Sequence, residues 1–207
     1  MSDSPTHKRE NYAEPARAPE GALRGLGEAA KGRSRSGPAP SWNPPDCGDI
    51  DMRIAADGTW FYCGSPIGRA PLVQLFASIM RKEGERYVLV TPFEKVGIKV
   101  DDAPFLAVEM RVEVDAGKEP RLTFRTNVED FVKVDGDHPL RFERGAAEGL
   151  KPYVRVRDDL WALVKRALFY DLVALGRTEA VRNEQWFGVR SSGVFFPMCP
   201  ASEIEGL

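Results

Sequence analysis

Aromatic rings, arginines and a few carboxylates are the residues of this chain whose types could do chemistry. Trp60, Phe61 and Tyr62 are consecutive, so on an extended strand Trp60 and Tyr62 share one face and Phe61 takes the other. One face must serve the core. The other could stack a planar ligand, with Arg53 across a hairpin and Arg69 beyond a loop to supply positive charge. Ser65 lies in the loop Gly64-Ser65-Pro66 and reads as a turn serine, or as a nucleophile only if His138 served it as a base. Thr91-Pro92-Phe93-Glu94-Lys95 puts a carboxylate and an ammonium on a tight turn, either as grips on a polar ligand or as a surface ion pair. Arg121, Arg125, Arg141, Arg155 and Arg157 sit on or beside strand-like runs. That pattern suits phosphate or carboxylate recognition as well as a solvated face. Asp101-Asp102 before Ala103-Pro104 reads as a turn, because a Mg²⁺ site there needs a further carboxylate or a phosphate.

Other chemistries are excluded by what the sequence lacks. There is no GxxxxGK[ST], no GxGxxG after a strand and no GxSxG. The two histidines, His7 and His138, are too few for a multi-histidine metal site, and His7 stands in a polar N-terminal stretch. Cys47, Cys63 and Cys199 are odd in number and lack CxxC spacing, which argues against a disulfide framework and for reduced thiols in a cytoplasmic protein. Cys47 and Cys63 read as buried thiols acting as small hydrophobes.

The elements that must position these groups divide the chain in three. Residues 1–44 are rich in Pro, Gly, Ala, Ser and charge, and read as a flexible tail, with one short helical stretch from about Glu20 to Lys31. Residues 45–114 read as a first αβ repeat. Met52 and Ile54 alternate with charged residues on a strand, Asp57-Gly58 turns, and Thr59 to Tyr62 returns. Pro71 then opens a helix carrying Leu72, Leu75, Phe76, Ile79 and Met80 on one face, closed by Gly84. Residues 115–207 read as a second repeat. Its helix is capped by Asp158 or Asp159, runs through Leu160, Val164, Ala167, Leu168 and Leu172, and stops at Gly176. Trp186 to Val189 and Val194 to Phe196 form a hairpin around Ser191-Ser192-Gly193. The fold class is therefore α+β, with two similar β-rich halves and one main helix in each; one mixed sheet with two helices on a face is the alternative.

A net charge of −2 gives no field that would gather duplex nucleic acid or an acidic membrane, and no apolar run is long enough to span a bilayer. An apolar content of 43% is enough for a globular core.

Several runs together resemble a bacterial family of unknown function, DUF1285. They are Cys47-Gly48-Asp49-Ile50-Asp51-Met52-Arg53-Ile54, Asp57-Gly58-Thr59-Trp60-Phe61-Tyr62, Gly64-Ser65-Pro66-Ile67, Leu89 to Lys95, Asp101 to Phe105, Phe124-Arg125-Thr126-Asn127 and Pro152-Tyr153-Val154. The resemblance spans residues 42 to 200. It implies a duplicated core, a C-terminal half superficially like pleckstrin-homology folds, a pocket where the halves meet, and a signalling role with a nucleotide-like ligand. It supplies no catalytic residues.

The chain is accordingly read as a non-enzymatic module that binds a small anionic or nucleotide-like ligand at the junction of two halves, without a cofactor or metal. The expected site is Trp60 or Tyr62 for stacking, Arg53 and Arg69 for charge, Ser65 in the adjoining loop, and Thr91, Glu94 and Lys95 with Arg125 and Asn127 closing it. A protein-interaction module using the edge of Val194-Phe195-Phe196 is the second reading. A metal-dependent hydrolase using Glu94, Asp101 or Asp102 is the third.

Overall fold

The structure is a computed structural model of the chain, and it describes residues 42–114, 119–145 and 149–206. The tail expected over 1–44, with its helical stretch, lies almost wholly outside the described residues.

Two six-stranded sheets carry the fold, and a three-stranded sheet follows them. The first sheet is built from β1 (Asp46–Ile54), β2 (Trp60–Tyr62), β3 (Ser65–Pro66), β4 (Met80–Glu83), β5 (Arg86–Val90) and β6 (Lys95–Val100), in the order β3-β2-β1-β6-β5-β4. The second is built from β7 (Phe105–Glu113), β8 (Arg121–Thr126), β9 (Phe131–Lys133), β10 (Leu140–Arg144), β11 (Leu150–Arg157) and β12 (Leu160–Val164). Read from its β9 edge, its order is β9-β8-β7-β12-β11-β10. The two orders are the same path. In each, two three-strand meanders are joined by a parallel central pair, β1 with β6 and β7 with β12, and the other pairs are antiparallel. This matches the duplicated α+β design, with one helix to each half. Phe105–Glu113, the run expected at the end of the first repeat, is a central strand of the second sheet.

The helices enter at different points of that path. Helix α1 (Ala70–Ser78) lies between the third and fourth strands of the first sheet. Helix α2 (Arg166–Ala174) follows the sixth strand of the second and leads into the three-stranded sheet β13 (Arg177–Val181), β14 (Glu184–Ser191) and β15 (Val194–Pro200). A 3₁₀ turn covers Ala201–Gly206.

Both helices are shorter than their apolar periodicity predicts. Met80 pairs with Leu89 as a strand residue, and Gly84 is a turn glycine at φ 60°, not a helix stop. Leu160 to Val164 likewise forms a strand, buried at every second residue and bonded to β11 on one side and β7 on the other. Asp158, at φ 44°, turns the chain into it and does not cap a helix. In both places an apolar segment with helical spacing gained more from closing a sheet than from extending a helix of nine residues.

The alternating residues of the strands and one stripe of each helix feed one continuous core. Trp60 is 1% exposed and stacks on Phe76 with ring centroids 6.0 Å apart. Gly176 ends α2 where the Phe187 ring packs, 2.1 Å from the position of any Cβ. Cys199 is buried, but Cys47 and Cys63 are exposed, which corrects the expectation of buried thiols at those two positions. Cys47 lies in the exposed first residues of the central strand β1, and Cys63 in the turn after β2. Among the described residues, no helix is long and apolar enough to cross a membrane.

Candidate functional site

Three contacts fix how the two sheets meet. The β1–β2 turn presses Gly58 against Asn127, whose side chain donates to the Gly58 carbonyl (3.3 Å) and accepts from the Leu106 amide (3.0 Å). Gly58 has φ 82°, and a Cβ there would lie 2.8 Å from Asn127 Nδ2, so glycine is required for the turn and for the approach. Lys82 of β4 reaches Asp159 at 3.1 Å. Arg157 of β11, 6% exposed, crosses to the end of α1 and donates to the Ala77 carbonyl. Its guanidinium also lies 3.5 Å from the buried Asp130 and over the Phe105 ring. Burial pulls the Arg157 pKa downward, and Asp130 opposes that pull. A cation at a helix C-terminus is where the helix dipole favours one.

Beside this junction lies a cavity of about 610 Å³, a size suited to a small organic ligand. Asp57 from the β1–β2 turn borders it. The second half supplies the rest: Leu106 of β7, the start of β11, the end of β12 and the first turns of α2. Its apolar lining includes Leu106, Leu150, Pro152, Leu163, Val164 and Phe169, with the exposed ring of Tyr170 beside them. Its charged groups are Lys151, Lys165, Arg166 and the single carboxylate Asp57.

The cations are held differently. Lys151 donates to Asp102 at 2.6 Å, and the Tyr153 hydroxyl donates to the other oxygen of the same carboxylate at 2.7 Å. Burial, and then the Asp102 carboxylate, push the Tyr153 phenol far above its usual range. Arg166 donates to the Tyr170 hydroxyl at 2.9 Å, one helical turn away. Lys165 has no ion pair among the described residues. It occupies the N-cap of α2, held there by its amide on the Ala107 carbonyl (3.2 Å) and its own carbonyl accepting from Phe169 (3.1 Å). No side chain caps this helix start, and its first turn contains no acidic residue. The first amides of a helix have no intrahelical acceptor, and their end of the dipole is positive. Two basic residues at that end oppose the helix and complement an anion.

A second crevice at the junction is much smaller, about 90 Å³, and is neutralised internally. Arg141 lies 4.3 Å over the Trp161 ring and 5.2 Å over Tyr153, and its Nε pairs with Glu143 at 3.0 Å.

The ten residues expected to bind ligand do not line the larger cavity. Trp60 is core. Tyr62 packs half-buried against that core, and burial, then a hydrogen bond with Cys63, raises its phenol pKa. Arg53 pairs with Asp101 at 2.6 Å and lies over Phe61. Ser65 is a half-buried residue of the edge strand β3, and exposed Arg69 is the N-cap of α1. The Thr91 hydroxyl is fully buried and organises its own turn, accepting from the amides of Phe93 and Glu94. Glu94 is half-buried in that turn, and Lys95 is bound to Glu83 at 2.7 Å. Arg125 is shared by Glu109 (2.8 Å) and Glu129 (2.7 Å). Only Asn127 touches the cavity's surroundings, through Gly58 and Leu106. Asp101 and Asp102 are engaged by Arg53 and Lys151, and among the described residues no three His, Cys, Asp or Glu side chains converge as metal ligands.

The sequence reading missed Lys151, Lys165, Arg166, Phe169 and Tyr170. A signal existed: Lys165-Arg166 opens a helix where acidic residues are preferred. It was hidden because the helix was expected to begin at Asp158 or Asp159, which moved both bases into its middle.

Comparison with known proteins agrees with this architecture. The N-terminal domain model of a family described as "Domain of unknown function (DUF1285)" matches residues 37–103, and its C-terminal domain model matches 104–198. The chain resembles the crystal structure of a DUF1285 family protein from Silicibacter pomeroyi DSS-3, with 49% identity and a TM-score of 0.76 over 87% of this chain and 97% of that one. It also aligns with a DUF1285 family protein from Shewanella baltica OS155, with 27% identity and a TM-score of 0.48 over 60% of this chain and 91% of that one. No curated protein matches the chain. With two adjacent family models covering both sheets, the chain belongs to the DUF1285 family.

Proposed function

We propose that the protein is a non-enzymatic binding module for a small anionic ligand, held in the cavity between the β1–β2 turn and α2. The observation that carries the reading is the placement of Lys165 and Arg166 at the uncapped start of α2, on the edge of an apolar cavity. Basic residues there cost the helix roughly 0.3–1 kcal/mol each. A bound anion reverses that sign by accepting from the helix amides and both side chains. Departures from local preference of this kind are expected where a protein binds something. A signalling role follows if the ligand, by touching Asp57 and α2 together, alters how the halves meet.

The interaction-module reading has less support. Phe196 is buried and Phe195 is half-buried, so the β15 edge offers no exposed apolar patch at these two rings.

A thermal-shift panel of nucleotides, cyclic nucleotides, organic acids and inorganic anions tests the proposal. A ligand at about 100 times its dissociation constant adds about 2.7 kcal/mol. At roughly 2–4 °C per kcal/mol for a chain of this size, the shift is several degrees. The expected result is a selective anion hit that is lost in the double variant Lys165→Ala/Arg166→Ala. A hit that survives in that variant contradicts the site.

A further inference from the structure

The composition of the cavity lining narrows the ligand class, and this inference rests on the anion-site reading above. A nucleobase is read through hydrogen bonds to its edges, from Asn, Gln, Ser, Thr or backbone groups. The lining holds no Asn, Gln, Ser or Thr; beyond its four charged residues, the one polar side chain is Tyr170, whose hydroxyl accepts from Arg166. The remaining side chains are apolar, and they come from four different elements, β7, β11, β12 and α2. The charge is low as well. Lys151 is answered by Asp102, and Asp57 lies on the opposite side of the junction from α2 in sequence and in sheet. What remains uncompensated at the mouth of α2 is Lys165 with Arg166. A nucleoside triphosphate brings more negative charge than these two cations answer, and its base would meet no amide side chain and no hydroxyl but that of Tyr170.

We infer that the cavity takes a free amphipathic acid: one carboxylate or phosphate-ester head at Lys165 and Arg166, and an apolar body lying on Leu106, Leu163, Phe169 and Tyr170. The apolar body supplies affinity by leaving water, and the head fixes which end lies at α2.

Isothermal titration calorimetry on the full chain tests this with hexanoate, octanoate, octyl phosphate, octan-1-ol, AMP and inorganic phosphate. Each added methylene should tighten carboxylate binding by up to about fourfold, the equivalent of burying one CH₂. Octanoate should bind at least tenfold tighter than octan-1-ol, AMP or phosphate, with a negative heat-capacity change. Lys165→Ala/Arg166→Ala should cost octanoate tenfold or more and leave octan-1-ol unchanged. Tyr170→Ala, at a half-exposed position that does not endanger folding, should weaken octanoate and hexanoate alike. The stronger of octanoate and octyl phosphate identifies the head. Binding of AMP as tight as octanoate, lost in the double variant, overturns the amphipathic class but keeps the anion site. Affinity independent of chain length, or equal binding of octanol and octanoate, overturns the inference. No binding of any anion overturns it together with the reading beneath it.

Discussion

Helices α1 and α2 are a matched pair with opposite uses of charge. Each has nine residues, each starts from a basic N-cap residue, and neither has a side-chain cap or an acid in its first turn. The sheets beside them follow the same strand path. Yet α1 is inserted inside its sheet's path, and its far end receives Arg157 from the other half, a cation where the dipole favours one. Helix α2 comes after its sheet is complete, and its start brings Lys165 and Arg166 to a cavity edge, cations where the dipole disfavours them. The first arrangement serves the fold. The second does not, and on the proposal above a bound anion answers it.

That contrast breaks in stages. The largest effect belongs to Arg157. Replacement by Met removes the Arg157 cation from beside the buried Asp130 and should cost about 3–5 kcal/mol in urea denaturation. Arg157→Met with Asp130→Leu should recover much of that loss, since the cost lies in stranding a charge. If the double variant is as unstable as the single one, the bond to Ala77 outweighs the ion pair. Next comes Asn127→Ala, which removes the acceptor of the amide of buried Leu106 and the tie to Gly58. About 1–3 kcal/mol should be lost, and amide exchange should quicken at Gly58 and Leu106. A smaller effect of opposite sign sharpens the comparison: Lys165→Ala/Arg166→Ala should raise stability by roughly 0.6–2 kcal/mol without ligand, seen as a higher Tm. A lowered Tm would mean that these bases serve the fold after all.

The smallest effect is on acid stability. Arg125 holds the Glu109 carboxyl below the usual range, Arg190 does the same for Glu179, and Arg86 for Asp46. Each folded pKa lies below its unfolded value of about 4, so the stabilisation is complete above that pH and is lost as pH falls through the folded pKa. All three are solvent-screened, so the urea midpoint should decline only modestly between pH 5 and 3, and these groups should contribute no slope between pH 6 and 8.

The turns and strands were legible in the sequence because their signals are local. Asp57-Gly58 and Ser191-Ser192-Gly193 turn where their residues allow positive φ, and Met52 and Ile54 alternate into the core. Trp60 was correctly tied to a strand, but its burial depended on Phe76, which only the fold brings to it. The site was less legible for the same reason. Thr91, Arg53, Arg125 and Lys95 looked like ligand groups because their partners, the Thr91 turn amides, Asp101, Glu109 with Glu129, and Glu83, are fixed by strand register. The cavity assembles from segments more than a hundred residues apart, from Asp57 to Tyr170. The start of α2 was misplaced because Leu160 to Val164 has apolar residues that fit a helix as well as the buried strand they form.

The most direct test of the account is to titrate octanoate into isotope-labelled protein and follow backbone amide resonances. The account predicts saturable shifts concentrated at Lys165 to Tyr170, Leu106, Lys151 and the Asp57-Gly58 turn. Shifts centred instead on Arg53, Arg69 and the Thr91–Lys95 turn, or none at millimolar octanoate, would contradict it.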